Sequence, residues 1–312
     1  VRLIIDTDAG VDDAQAIMMA LTHRNVTVEA ITTVTGNVHN DYVVPNVFTV
    51  LDLMGHKNVP VYRGSDQPLV PGFWEAETRV HGVDGLGDIP NRKKVNCRPE
   101  AEPAAVALVR LANEYPGELT LIALGPLTNL ALACRLDPLF PGKIKHFTWM
   151  GGSITALGNT PNATAEFNAY CDPEAALMVL EAFPNTTLVS WETTIQHPFV
   201  WQRHEMLINI NTQAGRFFRD ITAKSTKFLK GFSQLRGFLL PDPLAMAVTL
   251  DPDLIRHSEQ HFVTVELSGA RTRGMTIVDY MSLLQRDPNT NIVMQIDIDG
   301  VYALYERMLK AV

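Results

Sequence analysis

Residues 2–23 read RLIIDTDAGVDDAQAIMMALTH, and the order of features in that stretch sets the architecture. The run RLIID (2–6) is fit for a buried strand, and AQAIMMALTH (14–23) has helical spacing. From the last residue of the strand through the loop that follows come Asp6, Asp8, Asp12 and Asp13, four carboxylates within eight positions. Two acids ~4 Å apart repel by ~4 kcal/mol at an effective dielectric near 20, so something must offset their charge. Helix capping would occupy Asp12 or Asp13, with Gly10 serving the turn, and would leave Asp6 and Asp8 unused. The spacing is not an EF-hand: Val11 stands where that loop needs glycine, and no Glu closes it. No GxGxxG or phosphate-loop motif is present. A hard, oxygen-preferring cation such as Ca²⁺ or Mg²⁺ suits the cluster.

The same unit repeats along the chain. Strand-like runs at 26–34, 59–62, 119–124, 145–150 and 186–191 alternate with helical segments at 42–55, 103–115, 127–136 and 173–183. Residues 198–250 are mostly helical by pattern, ending in PDPLAMAVTL. Two further strand-like runs, QHFVTVEL and NIVMQIDI, precede a terminal helix. Strand–helix–strand alternation implies an α/β fold, a Rossmann-like open, mostly parallel sheet flanked by helices. No linker, repeat or shift in composition divides it, so residues 1–312 are read as a single domain. Ligands of such sheets bind beyond the strand carboxyl ends. There the chain places the Asp cluster, TGN (35–37), GPLTN (125–129), and GG followed by GN…AEFN (158–168).

Composition narrows the classes. The chain is 46% hydrophobic and 19% charged, ample for a core. Its net charge of −8 and scattered Lys/Arg, with no basic run longer than Arg92–Lys94, argue against a nucleic-acid partner. No run of 18 apolar residues suggests a membrane partner; the longest candidate is broken by Gly125, Pro126 and Asn129. Three widely spaced cysteines make a disulfide framework or zinc knuckle improbable, and a reducing, cytoplasmic location is the expectation. A start at Val1 without an initiator Met leaves a trimmed leader and secretion open, while the sequons at Asn25, Asn162 and Asn185 say nothing about compartment by themselves.

The residues also carry a family resemblance. DTDAGVDDAQAI resembles the amino-terminal signature of the inosine–uridine-type nucleoside hydrolases. ITTVTGN, VHGVDGLGD, ALGPLTNLALA, MGGS…GN…AEFNAYCDPEAA and PDPLAMAV are similar to further family segments, in the same order. The resemblance implies Ca²⁺-dependent hydrolysis of a ribonucleoside N-glycosidic bond to ribose and free base, in nucleoside salvage. It implies Ca²⁺ held by Asp8, Asp13, Asp242 and the Leu124 carbonyl, with Asp8 also the base that activates water. It implies sugar contacts from Asp12, Asn37, Asn159, Glu166 and Asn168, with Met150 lining the pocket, and a homodimer or homotetramer. The chemistry agrees, since an oxocarbenium-like transition state is stabilised by nearby carboxylates.

Two departures stand out. GNTPNATAEFN is one residue longer than the usual spacing, so Asn162 competes with Asn159 for one role. Pro241 precedes Asp242 where some family subclasses carry His or Trp, which removes an obvious acid for the leaving base. His81, Gln234 and Arg236 are candidate replacements, and Trp74 is the best aromatic candidate for stacking on a base; Trp149, Trp191 and Trp201 suit partial core. Two rival readings remain at this point. One is a phosphohydrolase of the haloacid dehalogenase type with Asp6 as nucleophile; the other is a nucleoside-binding protein without activity.

Overall fold

The computed structural model describes residues 1–72 and 75–312. Its centre is strand β1 (Arg2–Thr7), whose residues from Leu3 onward are all buried. To one side lie β2 (Thr27–Thr33) and β3 (Val61–Arg63), and to the other β4 (Leu119–Ala123), β5 (His146–Met150) and β6 (Thr186–Val189), giving the order β3-β2-β1-β4-β5-β6. All these pairs are parallel. Strand Thr290–Ile296 extends the sheet in parallel beside β6, and Ile255–His261 closes that edge antiparallel, for eight strands in one sheet.

Helices cover both faces. One apolar layer joins α1 (Val11–Leu21), α2 (Asn40–Met54), the helix Pro241–Leu250 and the terminal helix Ile298–Leu309. The other joins the helices Ala104–Glu114, Thr128–Leu136 and Pro173–Ala182. Helix α1 is buried on nearly every side, which explains why its sequence after Gln15 is apolar all round rather than striped. The sheet, continuous from end to end, matches the expected α/β architecture.

Differences from the sequence reading are local. Strand β6 stops at Val189, and Trp191 opens the helix Trp191–Gln196 because Ser190 caps it, its hydroxyl accepting the Thr193 N–H at 3.3 Å. The run QHFVTVEL is split between the end of the edge strand and a small hairpin, Val263–Val265 with Thr276–Val278. The edge strand itself, IRHSEQH, lacks an apolar pattern because much of it faces solvent.

The chain runs outward from β1 to β3, then returns to the other side of β1 at β4. That reversal opens a crevice between the loops after β1 and β4. Asp6, at the end of β1, braces the crevice from behind. Its Oδ1 accepts the Thr32 hydroxyl at 2.5 Å and Asn129 Nδ2 at 2.8 Å. Asn129 also donates to the Thr33 carbonyl at 2.9 Å and accepts the Ser65 N–H at 2.9 Å, tying the first three strands to one helix start. Replacing Asn129 with Ala strands these buried partners, so urea unfolding should show a loss of about 1–3 kcal/mol.

Candidate active site

The loop after β1 turns through Ala9, whose φ of 21° is rare for a residue with a side chain. Neighbouring bonds hold it: the Ala9 N–H donates to Thr7 Oγ1 at 3.1 Å, and its carbonyl accepts Asn46 Nδ2 at 3.0 Å. The turn lets Asp13, in the first turn of α1, fold back on the loop. Asp13 accepts the Thr7 hydroxyl at 2.5 Å, the Gly10 N–H at 2.8 Å and Asn37 Nδ2 at 3.1 Å. Asp8 accepts the Asn37 backbone N–H at 2.6 Å through Oδ2. A side chain at Gly36 would collide with that Asp8 carboxylate, so the TGN segment can approach it only as glycine. Asp242 arrives from the far end of the sequence, on the first turn of the helix that packs against α1.

The carboxylate oxygens of Asp12, Asp13 and Asp242 gather within 4.8 Å of one another. Asp8 stands against the same group, and burial followed by the Asp13 charge holds its carboxyl well above the usual range. Asp242 is raised the same way, by burial and then by Asp12, Asp13 and Asp8. Burial lifts Asp12 to about 6 and Asp6 to about 7, against an ordinary value of 3.8. Oδ1 of Asp8, Oδ1 of Asp12 and Oδ2 of Asp242 are buried with no hydrogen-bond partner among the described residues. Buried carboxylate oxygens without donors fit a cation, since leaving them bare is costly. The donor set, all oxygen, fits a hard divalent ion.

A cavity of about 560 Å³ opens over this cluster, a size ordinary for a small-molecule site. Asp12, Asn37, His81, Leu124, Met150, Asn159, Glu166, Asn168 and Asp242 all line it. Asp8 and Asp13 sit below its floor, fully buried. Asn168 Nδ2 donates to the carbonyls of Leu124 (2.8 Å) and Met150 (3.0 Å), so both amide hydrogens are committed and Oδ1 is the free end. Glu166 caps the helix Phe167–Cys171, accepting N–H groups of Asn168 (2.9 Å), Ala169 (3.2 Å) and Gly152 (2.8 Å); burial still raises it to about 7. His81 Nδ1 accepts the Val11 N–H at 3.1 Å, and burial lowers the ring to about 4. The imidazole is therefore neutral at pH 7, with its proton assigned to Nε2.

The structure separates Asn159 from Asn162. Asn159 lines the cavity, whereas Asn162 is spent inside its own loop. Its Nδ2 donates to the Arg273 carbonyl at 2.7 Å, and its Oδ1 accepts the Thr164 and Ala165 N–H groups at 3.1 and 3.0 Å. The extra residue is thus absorbed as a loop staple. Of the replacement candidates, His81 and Gln234 reach the cavity wall together with Pro241, and Arg236 does not. Trp191 reaches it too; Trp149 is core, Trp201 lies under Lys230, and Trp74 falls outside the described residues. Sequence reasoning missed Arg79 and Phe228 on the same wall, because the helix pairing that joins them has no local signature.

Comparison with known proteins decides the family. The inosine-uridine preferring nucleoside hydrolase family matches residues 3–303. The chain belongs to that family. It is 36% identical over 292 residues to uridine nucleosidase 1 of Arabidopsis thaliana, covering 89% of this chain and 82% of that one. It is 32% identical over 304 residues to the inosine-uridine preferring nucleoside hydrolase of Leishmania major, covering 97% and 95%. The solved purine-preferring ribonucleoside hydrolase from Gardnerella vaginalis superposes with a TM-score of 0.90 at 29% identity, over 99% and 98% of the two chains. The chain is thus a nucleoside hydrolase, and the phosphohydrolase reading falls. Asp6 does not line the cavity, and its Oδ1 is engaged by Thr32 and Asn129. No helix among the described residues is long and apolar enough to cross a membrane, and the three cysteines are unpaired.

In this nucleoside hydrolase, raised carboxyl pKa values make the metal-free folded state hold more protons than the unfolded chain between about pH 4 and pH 7. Stability is therefore greatest below pH 4 as far as these groups contribute, and is lost as pH rises through about 6 to 7. In EDTA the melting temperature should drop between pH 5 and pH 8. Added Ca²⁺ should raise it more at pH 8 than at pH 5.

Proposed function

We propose that this nucleoside hydrolase is Ca²⁺-dependent and cleaves ribonucleosides to ribose and free base, in nucleoside salvage. The observation that carries the reading is the buried carboxylate group with unpartnered oxygens at the floor of a nucleoside-sized cavity. Asp8, Asp13, Asp242 and the Leu124 carbonyl are the proposed ligands. Asp12 shares the oxygen group with Asp13 and Asp242, but it is the partly exposed member, lining the cavity, and is assigned to a sugar hydroxyl. When bound, Ca²⁺ supplies the positive charge that orders the ribose diol and the attacking water and lowers the water's pKa.

The chain's own groups do the rest. Asn37 holds one oxygen of Asp8 through its backbone N–H, leaving Oδ1 to take the proton of the attacking water. The hydroxide equivalent bonds to the anomeric carbon as the C–N bond breaks, and the bonding pair leaves with the base. The clustered carboxylates stabilise the positive charge that grows on the sugar ring. Asn168 offers Oδ1, Asn37 and Asn159 their free side-chain atoms, and Glu166 its remaining lone pairs to the ribose hydroxyls. Met150 packs against the sugar, and His81 presents a neutral N–H. The base departs as the anion and takes its proton from solvent water, since Pro241 has no N–H to give.

A cytoplasmic location and a homodimer or homotetramer complete the proposal. The former is supported by three unpaired cysteines, the latter by the family resemblance. Reducing-sugar assays on a panel of purine and pyrimidine nucleosides test the reading. Wild type with Ca²⁺ should release ribose, and Asp8→Ala should lose at least about a thousand-fold in kcat, in line with removal of a base and a charge partner. Tight nucleoside binding without ribose release would instead favour a binding protein.

A further inference from the structure

The cavity wall has a large apolar share: Phe228, Phe232, Leu235, Phe238, Trp191 and Pro241 line it. Arg79 brings a full charge to that wall. Its side chain is not loose. Nε and Nη2 donate to the two carboxylate oxygens of Glu77 at 2.9 and 2.5 Å, and Glu77 itself caps the short helix 78–81 by accepting the Arg79 N–H at 3.2 Å. The guanidinium carbon lies 5.6 Å from the centre of the Phe228 ring, on a helix distant in sequence. Two contacts thus fix the guanidinium, one in its plane and one across its face.

A guanidinium carries five N–H donors in a planar fork. Glu77 takes the Nε/Nη2 edge. The Nη1/Nη2 edge remains, offering two parallel N–H donors with no acceptor among the described residues. Such an edge matches two adjacent acceptors lying in one plane. A 6-oxopurine has that pair in O6 and N7; adenine places an amino donor beside N7, which opposes the fork. Pyrimidine bases have no fused ring to offer an N7. The apolar rings of the same wall would accept the faces of a bicyclic base.

We propose that Arg79, clamped by Glu77, reads the O6/N7 edge of a 6-oxopurine and makes inosine and guanosine the favoured substrates. The inference rests on the nucleoside hydrolase reading and names its substrate class. It adds no chemical step: the contact is made to a base that leaves as described above. Arg79 is largely exposed, so its substitution leaves the core intact.

The test is kcat/KM for inosine, purine riboside, adenosine and uridine, in wild type, Arg79→Met and Arg79→Lys, with the variant-to-wild-type ratio cancelling each substrate's intrinsic reactivity. Arg79→Met should cost inosine about ten-fold or more and adenosine and uridine less than about three-fold, with purine riboside between them. Arg79→Lys should recover little, because an ammonium cannot form the fork. An equal loss on all substrates would overturn the proposal, as would a wild type that prefers uridine or adenosine to inosine, while ribose release from any of them would leave the hydrolase reading standing. A wild type inactive on all four would overturn both.

Discussion

Everything at the carboxyl edge of the sheet is organised around one electrostatic conflict: Asp8, Asp12, Asp13 and Asp242 crowd together out of bulk water. Neighbouring carboxylates at such separations repel by several kcal/mol even at a generous effective dielectric of ~20. The fold does not relieve this internally. It gives Asp13 three donors and Asp8 one, yet keeps buried oxygens of Asp8, Asp12 and Asp242 without any. Left alone, the group meets the conflict by holding protons, which is what the raised carboxyl pKa values express. A divalent cation held by the same oxygens would resolve it differently, by replacing those protons.

Keeping the charges together falls to the uncharged framework. The reversal of strand order beside β1 creates the crevice, and the strained turn at Ala9 brings Asp13 back over it. Asp6 and Asn129 lock the strand ends behind the loop. Asp242 comes from a helix buried on most sides, so its carboxylate cannot retreat to solvent. The four acids of DTDAGVDD consequently divide: Asp6 braces, Asp8 and Asp13 lie buried beneath the cavity floor, and Asp12 faces the cavity.

Much of this was legible in the sequence. Buried parallel strands announce themselves as short apolar runs, so β1, β4 and β5 fall within about a residue of expectation. The strand Ile255–His261 did not, because an edge strand facing water carries no apolar rhythm. Asn37, Glu166 and Asn168 were named from the family resemblance of their short motifs; sheet geometry indicated only that their loops, which follow strands, share one edge, and all three line the cavity. The choice between Asn159 and Asn162 needed coordinates, since both follow turn-forming residues and only hydrogen bonds show which is spent. Arg79 was invisible for a related reason: its position depends on Phe228, far along the chain.

The central claim is that a cation displaces protons held by the buried carboxylates. Isothermal titration of the metal-free protein with Ca²⁺ near pH 6, repeated in buffers of different ionisation enthalpy, measures that exchange directly. The account predicts one Ca²⁺ bound per chain, an observed enthalpy that varies with the buffer because protons are released, and loss of binding in Asp242→Ala. Binding with an enthalpy independent of buffer, or binding that survives Asp242→Ala unchanged, would contradict it.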